Sequence, residues 1–264
     1  MREQFLKKGG TICSPTLYMD ITVKKNLIPK LKLPKFNVDT ELDDKLNQYE
    51  ITQLMNKSNF TVFLGKAGSG KSSLLISFLK TKQLFKRVYS NILLFMPPNS
   101  RASIRDSFFD KYLPKEQIYD TVDLDSLNEA YEIAQSNAKE GDNTLIIFDD
   151  TQKYFKGENE KFLLHMINNR RHARLSIWFA VQTYNSIPRQ VRQGITDMFV
   201  FKINKIEMEN IFSEQIEQHK ELFIEILKFV FQKSHDFLYI NTNSQRLFSN
   251  WNELLIGDTE KNIL

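Results

Sequence analysis

Eight consecutive residues, Gly65-Lys66-Ala67-Gly68-Ser69-Gly70-Lys71-Ser72, match the spacing G-x-x-x-x-G-K-[ST] at every specified place. The residue types explain what such a segment can do. Small glycines let successive backbone N–H groups turn inward around phosphate oxygens. A helix starting near Gly70 would point its positive end at the same anion. The Lys71 ammonium can reach the β- and γ-phosphates, the Ser72 hydroxyl can ligate Mg²⁺, and Ser73 continues the cradle. A simple glycine turn would need neither Lys71 nor Ser72. Residues 65–73 are therefore expected to hold ATP with Mg²⁺.

A second candidate is Leu145-Ile146-Ile147-Phe148-Asp149-Asp150, an apolar run closed by two acids. Four apolar residues suit a buried central strand. Asp149 at its end is placed to share Mg²⁺ with Ser72, and Asp150 to polarise an attacking water. A bare capping role for Asp150 is the alternative. Trp178-Phe179-Ala180-Val181-Gln182 repeats the pattern with a neutral ending. Gln182 there either senses the γ-phosphate or is an ordinary loop-facing amide. Just before that strand stand Arg170, Arg171, His172 and Arg174. Arginine stays charged and makes forked contacts to phosphate. Cations also simply favour a helix C-terminus, and that reading is preferred for Arg170 and Arg174.

These groups need a scaffold that brings them together. Strands are expected at Phe60–Leu64, Asn91–Met96, Thr144–Phe148, Leu175–Val181, Thr196–Ile203 and Phe237–Asn241. Helices are expected at Gly70–Lys80, Leu124–Lys139, Glu158–Arg170 and, as one long element, Glu207–Gln232. Alternation of this kind predicts an α/β fold, a mainly parallel sheet covered by helices on both faces. Residues 58–264 form this domain. Residues 1–57 read as a basic, partly irregular extension with a strand at Asp20–Lys24, prolines at 29 and 34, and an acidic helical stretch near Glu41–Asn56.

The bulk composition narrows the class. Hydrophobic residues are 41% and charged residues 26% of 264, ordinary globular values. One cysteine, Cys13, excludes an internal disulfide framework. No apolar run approaches the roughly 18–20 residues of a membrane span, and the start lacks an export signal, so a soluble intracellular chain is expected. The net charge of +4 is small, but Lys153–Arg192 holds eight basic and two acidic residues. Lys24, Lys25, Lys30, Lys32 and Lys35 form a second basic run, read equally as a solvated face.

The stretch Arg171-His172-Ala173-Arg174 through Gln182, then Ile187-Pro188 and Arg192, resembles the FtsK–HerA superfamily. Within it the likeness is greatest to the poxvirus-type DNA-packaging ATPases of large eukaryotic DNA viruses and virophages, over about residues 58–204. The resemblance implies a RecA-like P-loop domain working as a homo-oligomeric ring on double-stranded DNA, without sequence preference. Capsid proteins are implied partners, and the host cytoplasm or a viral factory is the implied location. It assigns Lys71 and Ser72 to Walker A, Asp149 and Asp150 to Walker B, Gln182 to a sensor and Arg171 to an arginine finger, with Arg174 and Arg192 as rivals for the last role. Cellular members often carry Glu where this chain has Asp150, so the carboxylate is set back by one bond. The motifs alone leave open a HerA-like DNA-processing translocase, a mobile-element ATPase or, in another class, a small-molecule P-loop kinase.

Overall fold

A computed structural model describes residues 21–24, 54–102, 108–216 and 220–256. In chain order the elements are β1 (Ile21–Lys24), β2 (Phe60–Leu64), α1 (Lys71–Lys80), β3 (Asn91–Phe95), α2 (Pro98–Ala102), α3 (Phe108–Tyr112), β4 (Ile118–Tyr119), α4 (Leu124–Lys139), β5 (Thr144–Asp149), α5 (Glu158–Asn169), β6 (Leu175–Val181), α6 (Arg189–Arg192), β7 (Asp197–Phe201), α7 (Lys205–Gln215), α8 (Lys220–Val230), β8 (Phe237–Asn241), β9 (Arg246–Ser249) and β10 (Asn252–Ile256). The strands form one sheet in the order β1-β10-β9-β8-β7-β2-β6-β5-β3-β4. From β7 to β4 every pairing is parallel. From β7 to β1 every pairing is antiparallel.

β2, β5, β6 and β7 are buried along their whole length, as expected of parallel strands covered on both faces. Alternate side chains enter two separate cores. Phe60, Val62 and Leu64 face a core shared with α4, α5, α7 and α8. Phe63 faces the other, where it stacks on Phe199 at 5.2 Å and meets Trp178 edge-on at 5.7 Å. Phe78 of α1 closes that aromatic cluster from outside the sheet. A slip of one residue in register would exchange the two sets, so the packing fixes which residues reach the ends of the strands.

One expected element is corrected. The long helix over Glu207–Gln232 is two helices, because α7 ends at Ile216, whose backbone is extended at φ −126° and ψ 125°. Its apolar residues explain the break. Met208, Ile211 and Phe212 of α7 and Phe223, Ile226 and Val230 of α8 all enter the same core. A straight helix of that length would run about 39 Å and carry half of them off the sheet. Folding back lets Phe212 and Phe223 meet edge-on at 4.8 Å. The hairpin β9–β10 was not expected. β1 joins it at the sheet's edge, with Ile21 opposite Ile256. The acidic stretch before Leu54, Cys13 and the lysines from Lys25 to Lys35 lie outside the described residues. Among the described residues no helix is long and apolar enough to cross a membrane.

The amino ends of the strands are tied by a buried polar seam. The Asn59 side chain accepts from Thr61 Oγ1 at 2.8 Å and Trp178 Nε1 at 2.7 Å. Ser176 accepts from the Tyr89 hydroxyl at 3.0 Å. Asp197, at the start of β7, accepts from Tyr239 at 2.8 Å, Thr196 at 2.7 Å and Asn241 at 3.3 Å. Burial pushes its carboxyl from 3.8 up to about 7, against the opposing pull of Thr196, Tyr239 and Arg170. A raised carboxyl means the folded chain holds a proton that the unfolded chain releases. Stability from this group is therefore intact below about pH 4, falls by about 1.4 kcal/mol per unit as pH rises, and is fully lost above about pH 7. Asp197→Asn keeps the geometry, since Nδ2 can donate to Thr196 Oγ1 and Oδ1 can still accept from Tyr239 and Asn241. The melting temperature of Asp197→Asn relative to wild type is expected to rise between pH 5 and pH 8. A constant difference would refute the assignment.

Candidate nucleotide-binding site

The parallel register sets the site. Leu64 lies opposite Val181, and Asp149 opposite Ala180. The chain segments that leave β2, β5 and β6 therefore emerge side by side at the carboxyl edge of the sheet. Open α/β sheets bind ligands in that crevice. The loop after β2 is anchored to its neighbour by Gly65 N donating to Val181 O at 3.2 Å.

Two glycines of the loop are obligatory for different reasons. A Cβ on Gly65 would stand 2.6 Å from Ser69 Oγ and 2.8 Å from Phe201 Cβ, so the loop could not close. Gly70, the residue before α1, has φ 106°, a left-handed backbone that disfavours any side chain. Beyond it α1 begins, directing its N-terminus into the loop.

Lys71 is buried and folded back, with Nζ donating to Gly65 O at 2.6 Å and Lys66 O at 3.0 Å. Burial lowers its pKa, opposed by Asp149 and Asp150. Asp149 is also buried, and burial together with the Asp150 charge pushes its carboxyl up to about 6, opposed by Lys71 and Ser72. Ser72 Oγ donates to Asp149 Oδ2 at 3.5 Å. Ser69 Oγ is buried and has no hydrogen-bond partner among the described residues. A desolvated ammonium, a desolvated carboxylate and an orphaned hydroxyl, gathered where the glycine loop meets the end of β5, fit a polyphosphate and a divalent cation.

Asp150 sits one residue past β5 with φ 57°, an uncommon backbone for a non-glycine residue and a form of strain that concentrates at functional sites. Its carboxylate is held from both sides. Gln182 Nε2, at the end of β6, donates to Oδ1 at 3.0 Å. Ser100 Oγ, from α2 after β3, donates to Oδ2 at 3.2 Å. A carboxylate oxygen carries two acceptor sites, so each oxygen keeps one for a water.

A cavity of about 340 Å³ opens beside the loop, lined by Gly68 to Leu74 with Phe201, His235 and Phe237. His235 Nδ1 lies 2.9 Å from Ser69 O. Its turn is fixed by Asp236, which accepts from Lys233 N at 2.6 Å and Asn250 Nδ2 at 3.1 Å. The sequence reading missed Ser100 and His235 because no local pattern marks them.

The arginines before β6 have separate fates. Arg171 and Arg174 are exposed at the amino end of β6. β6 spans seven residues, so they stand about 20 Å from the loop of their own chain. Arg170 is not the solvated helix end that was preferred for it. It is buried, with Nε donating to Ser58 O at 3.1 Å and Nη1 to Ile167 O at 2.7 Å. Arg192 is buried too, and pairs with Glu214 at 3.1 Å. His172 is exposed. The basic surplus of Lys153–Arg192 therefore shrinks at the surface. Two of its arginines belong to the interior, and Lys161 pairs with Glu158 at 2.7 Å.

Ser100→Ala removes one of two donors on Asp150. It is expected to lower ATP turnover about five-fold, the scale of one hydrogen bond, with nucleotide affinity unchanged. Steady-state phosphate release alongside a nucleotide titration checks this. Unchanged turnover would mean that Ser100 does not orient Asp150.

Residues 46–261 match the family described as Poxvirus A32 protein. No curated protein matches significantly. Among solved structures, the DNA-packaging ATPase B204 of Sulfolobus turreted icosahedral virus aligns with a TM-score of 0.56 at 18% identity, over 74% of this chain and 97% of that one. The genome packaging NTPase B204 of Sulfolobus turreted icosahedral virus 2, in complex with ATP-gammaS, aligns with a TM-score of 0.53 at 20% identity over the same shares. At these identities the likeness concerns the fold.

Proposed function

The chain belongs to the Poxvirus A32 protein family, and from that membership we propose that it is a viral genome-packaging ATPase, coupling ATP hydrolysis to the movement of double-stranded DNA into a capsid. The observation that carries this reading is the meeting of the residue 65–73 loop, Asp149, Asp150 and Gln182 at one sheet edge. The fold shared with B204, a packaging NTPase with a structure in complex with ATP-gammaS, is consistent with nucleotide on that loop.

In the proposed site the backbone N–H groups of Gly68, Ser69, Gly70, Lys71, Ser72 and Ser73 receive the phosphates. Lys71 gives up its two carbonyl contacts for the β- and γ-oxygens. Among the described residues no three His, Cys, Asp or Glu side chains cluster to hold a metal alone. Mg²⁺ would be held by Ser72 and Asp149 together with the nucleotide, where it would neutralise charge on the phosphates. Asp150 takes a proton from the attacking water, and Gln182, already on Asp150, orients that water and reports the γ-phosphate. Phe201, His235 and Phe237 form the wall beyond the helix N-terminus, where the nucleoside would emerge.

Arg171 cannot serve its own pocket from the far end of β6. We propose that it acts as a finger on the nucleotide of an adjacent copy, in a ring closed by head-to-tail contacts. Exposed Lys153, Lys156 and Arg189 are candidates for DNA phosphates. The host cytoplasm or a viral factory is the proposed place of work, and capsid proteins the proposed partners.

The test is phosphate release with and without duplex DNA. ATP hydrolysis should need Mg²⁺, rise with DNA of any sequence, and lose that stimulation steeply with salt as counterion release is suppressed. Lys71→Ala should abolish it. Asp150→Asn should lower turnover about 10²-fold or more while retaining nucleotide. Full activity in Lys71→Ala would remove the ATPase reading, and stimulation by a nucleoside acceptor in place of DNA would favour a kinase.

A further inference from the structure

The segment that follows Gln182 is held by groups that the hydrolysis chemistry does not use. A short 3₁₀ turn covers Tyr184–Ser186, directly after Gln182 and Thr183. The backbone N–H groups of Tyr184 and Asn185 point at Glu207 in the first turn of α7. Glu207 Oε2 accepts from Tyr184 N at 2.6 Å, and Oε1 lies 3.5 Å from Asn185 N. Glu207 is the third residue after the cap Asn204, whose side chain accepts from Glu207 N at 2.8 Å. A glutamate at that place usually reaches back to its own cap. This one is buried and crosses to another segment.

Behind it stands a second set of buried partners. The Tyr184 ring is fully buried, and its hydroxyl donates to Glu214 Oε2 at 2.9 Å and accepts from Gln215 Nε2 at 2.9 Å. The Arg192 guanidinium lies 4.5 Å from the Tyr184 ring centre. Its Nη1 donates to Asn185 Oδ1 at 3.0 Å and its Nη2 to Glu214 Oε1 at 3.1 Å. Gln215 also donates to Arg192 O at 3.1 Å. α7 therefore grips the turn through its main chain at one end and its side chains at the other. Gln182 itself is exposed, and among the described residues its side chain hydrogen-bonds Asp150 alone. Only Thr183 separates Gln182 from Tyr184, whose backbone N–H is held by Glu207.

We propose that Glu207, backed by Arg192 and Glu214, is the positioning residue of the hydrolytic site: it holds the Tyr184–Ser186 turn so that the Gln182 amide meets Asp150. The inference rests on the reading of Gln182 and Asp150 as the hydrolytic pair. It also gives the buried Arg192 a task within its own subunit, in place of contact with a neighbouring nucleotide. Charge explains the choice of residue. A carboxylate accepts backbone N–H groups strongly, and it is favoured at a helix N-terminus, so one side chain secures both α7 and the turn.

A double-mutant cycle on turnover tests it. Gln182→Ala, Glu207→Ala and the double variant are compared for kcat, for affinity toward a non-hydrolysed ATP analogue, and for melting temperature. Glu207→Ala should lose about 10- to 100-fold in kcat, the scale of a misplaced catalytic group, with analogue affinity within about two-fold of wild type. Glu207→Gln, which keeps an oxygen for Tyr184 N, should recover most of the rate. Adding Glu207→Ala to Gln182→Ala should slow the enzyme no further, since both remove one unit. If Glu207→Ala fails to fold, the cycle is run with Arg192→Lys, which keeps the charge and loses the fork. Multiplying effects, or parallel loss of kcat and analogue affinity, would overturn the positioning role and leave the site reading intact. Wild-type turnover in Gln182→Ala would instead remove the reading of Gln182, and the positioning role with it.

Discussion

Everything in this molecule depends on the register of four parallel strands. β3, β5, β6 and β2 are packed so that Phe95 is level with Phe148, Asp149 with Ala180, and Val181 with Leu64. Each strand then ends on a residue that can do chemistry, or on a loop that carries one. The strands are apolar on both faces and their aromatic side chains interlock in two cores. The register therefore has no low-cost alternative. Polar groups cluster at the two ends of the sheet, and the ends are not equivalent. The amino end is closed by a self-satisfied seam around Asn59, Ser176 and Asp197. The carboxyl end leaves Ser69 Oγ without a partner among the described residues and Asp149 desolvated beside Asp150.

That separation also gives three arginines of one sequence neighbourhood three different physical roles. Arg170 is inside, donating to backbone carbonyls at the foot of β6. Arg192 is inside, forked between Asn185 and Glu214 and lying on Tyr184. Arg171 remains exposed, at the edge opposite its own nucleotide loop. In the proposed ring, the exposed cations at that edge, Arg171 and Arg174, are the ones that would reach a neighbour's site.

Much of this was legible in the sequence because its signals are local. The glycine loop and its lysine are contiguous, and the contiguous apolar run ending in Asp149 and Asp150 gains its meaning from following that loop. β6 was bounded to the residue for the same reason. The sequence could not display contacts made across the fold. Ser100 reaches Asp150 from another strand's loop, His235 reaches the nucleotide loop from 166 residues away, and Glu207 reads simply as an acid early in a helix. The break between α7 and α8 carries no glycine or proline, so tertiary packing alone ends the first helix. Arg170 stands at a helix C-terminus, a position equally typical of a solvated cation, and its bonds to the Ser58 and Ile167 carbonyls exist only in the fold.

The central claim is that the hydrolytic site is completed by a second copy of the chain, and mixing two inactive variants tests it most directly. Arg171→Ala subunits keep an intact pocket but offer no finger. Lys71→Ala subunits offer the finger but have no working pocket. Each alone should be nearly inactive, since a finger supplies about 10³–10⁵ in rate. Mixed under conditions that let subunits exchange, they should regain partial hydrolysis wherever a good arginine meets a good pocket, with a maximum at intermediate ratios. Recovery of that shape is the predicted result. No recovery at any ratio, with exchange verified, would contradict the shared site and return Arg171 to a role within its own subunit.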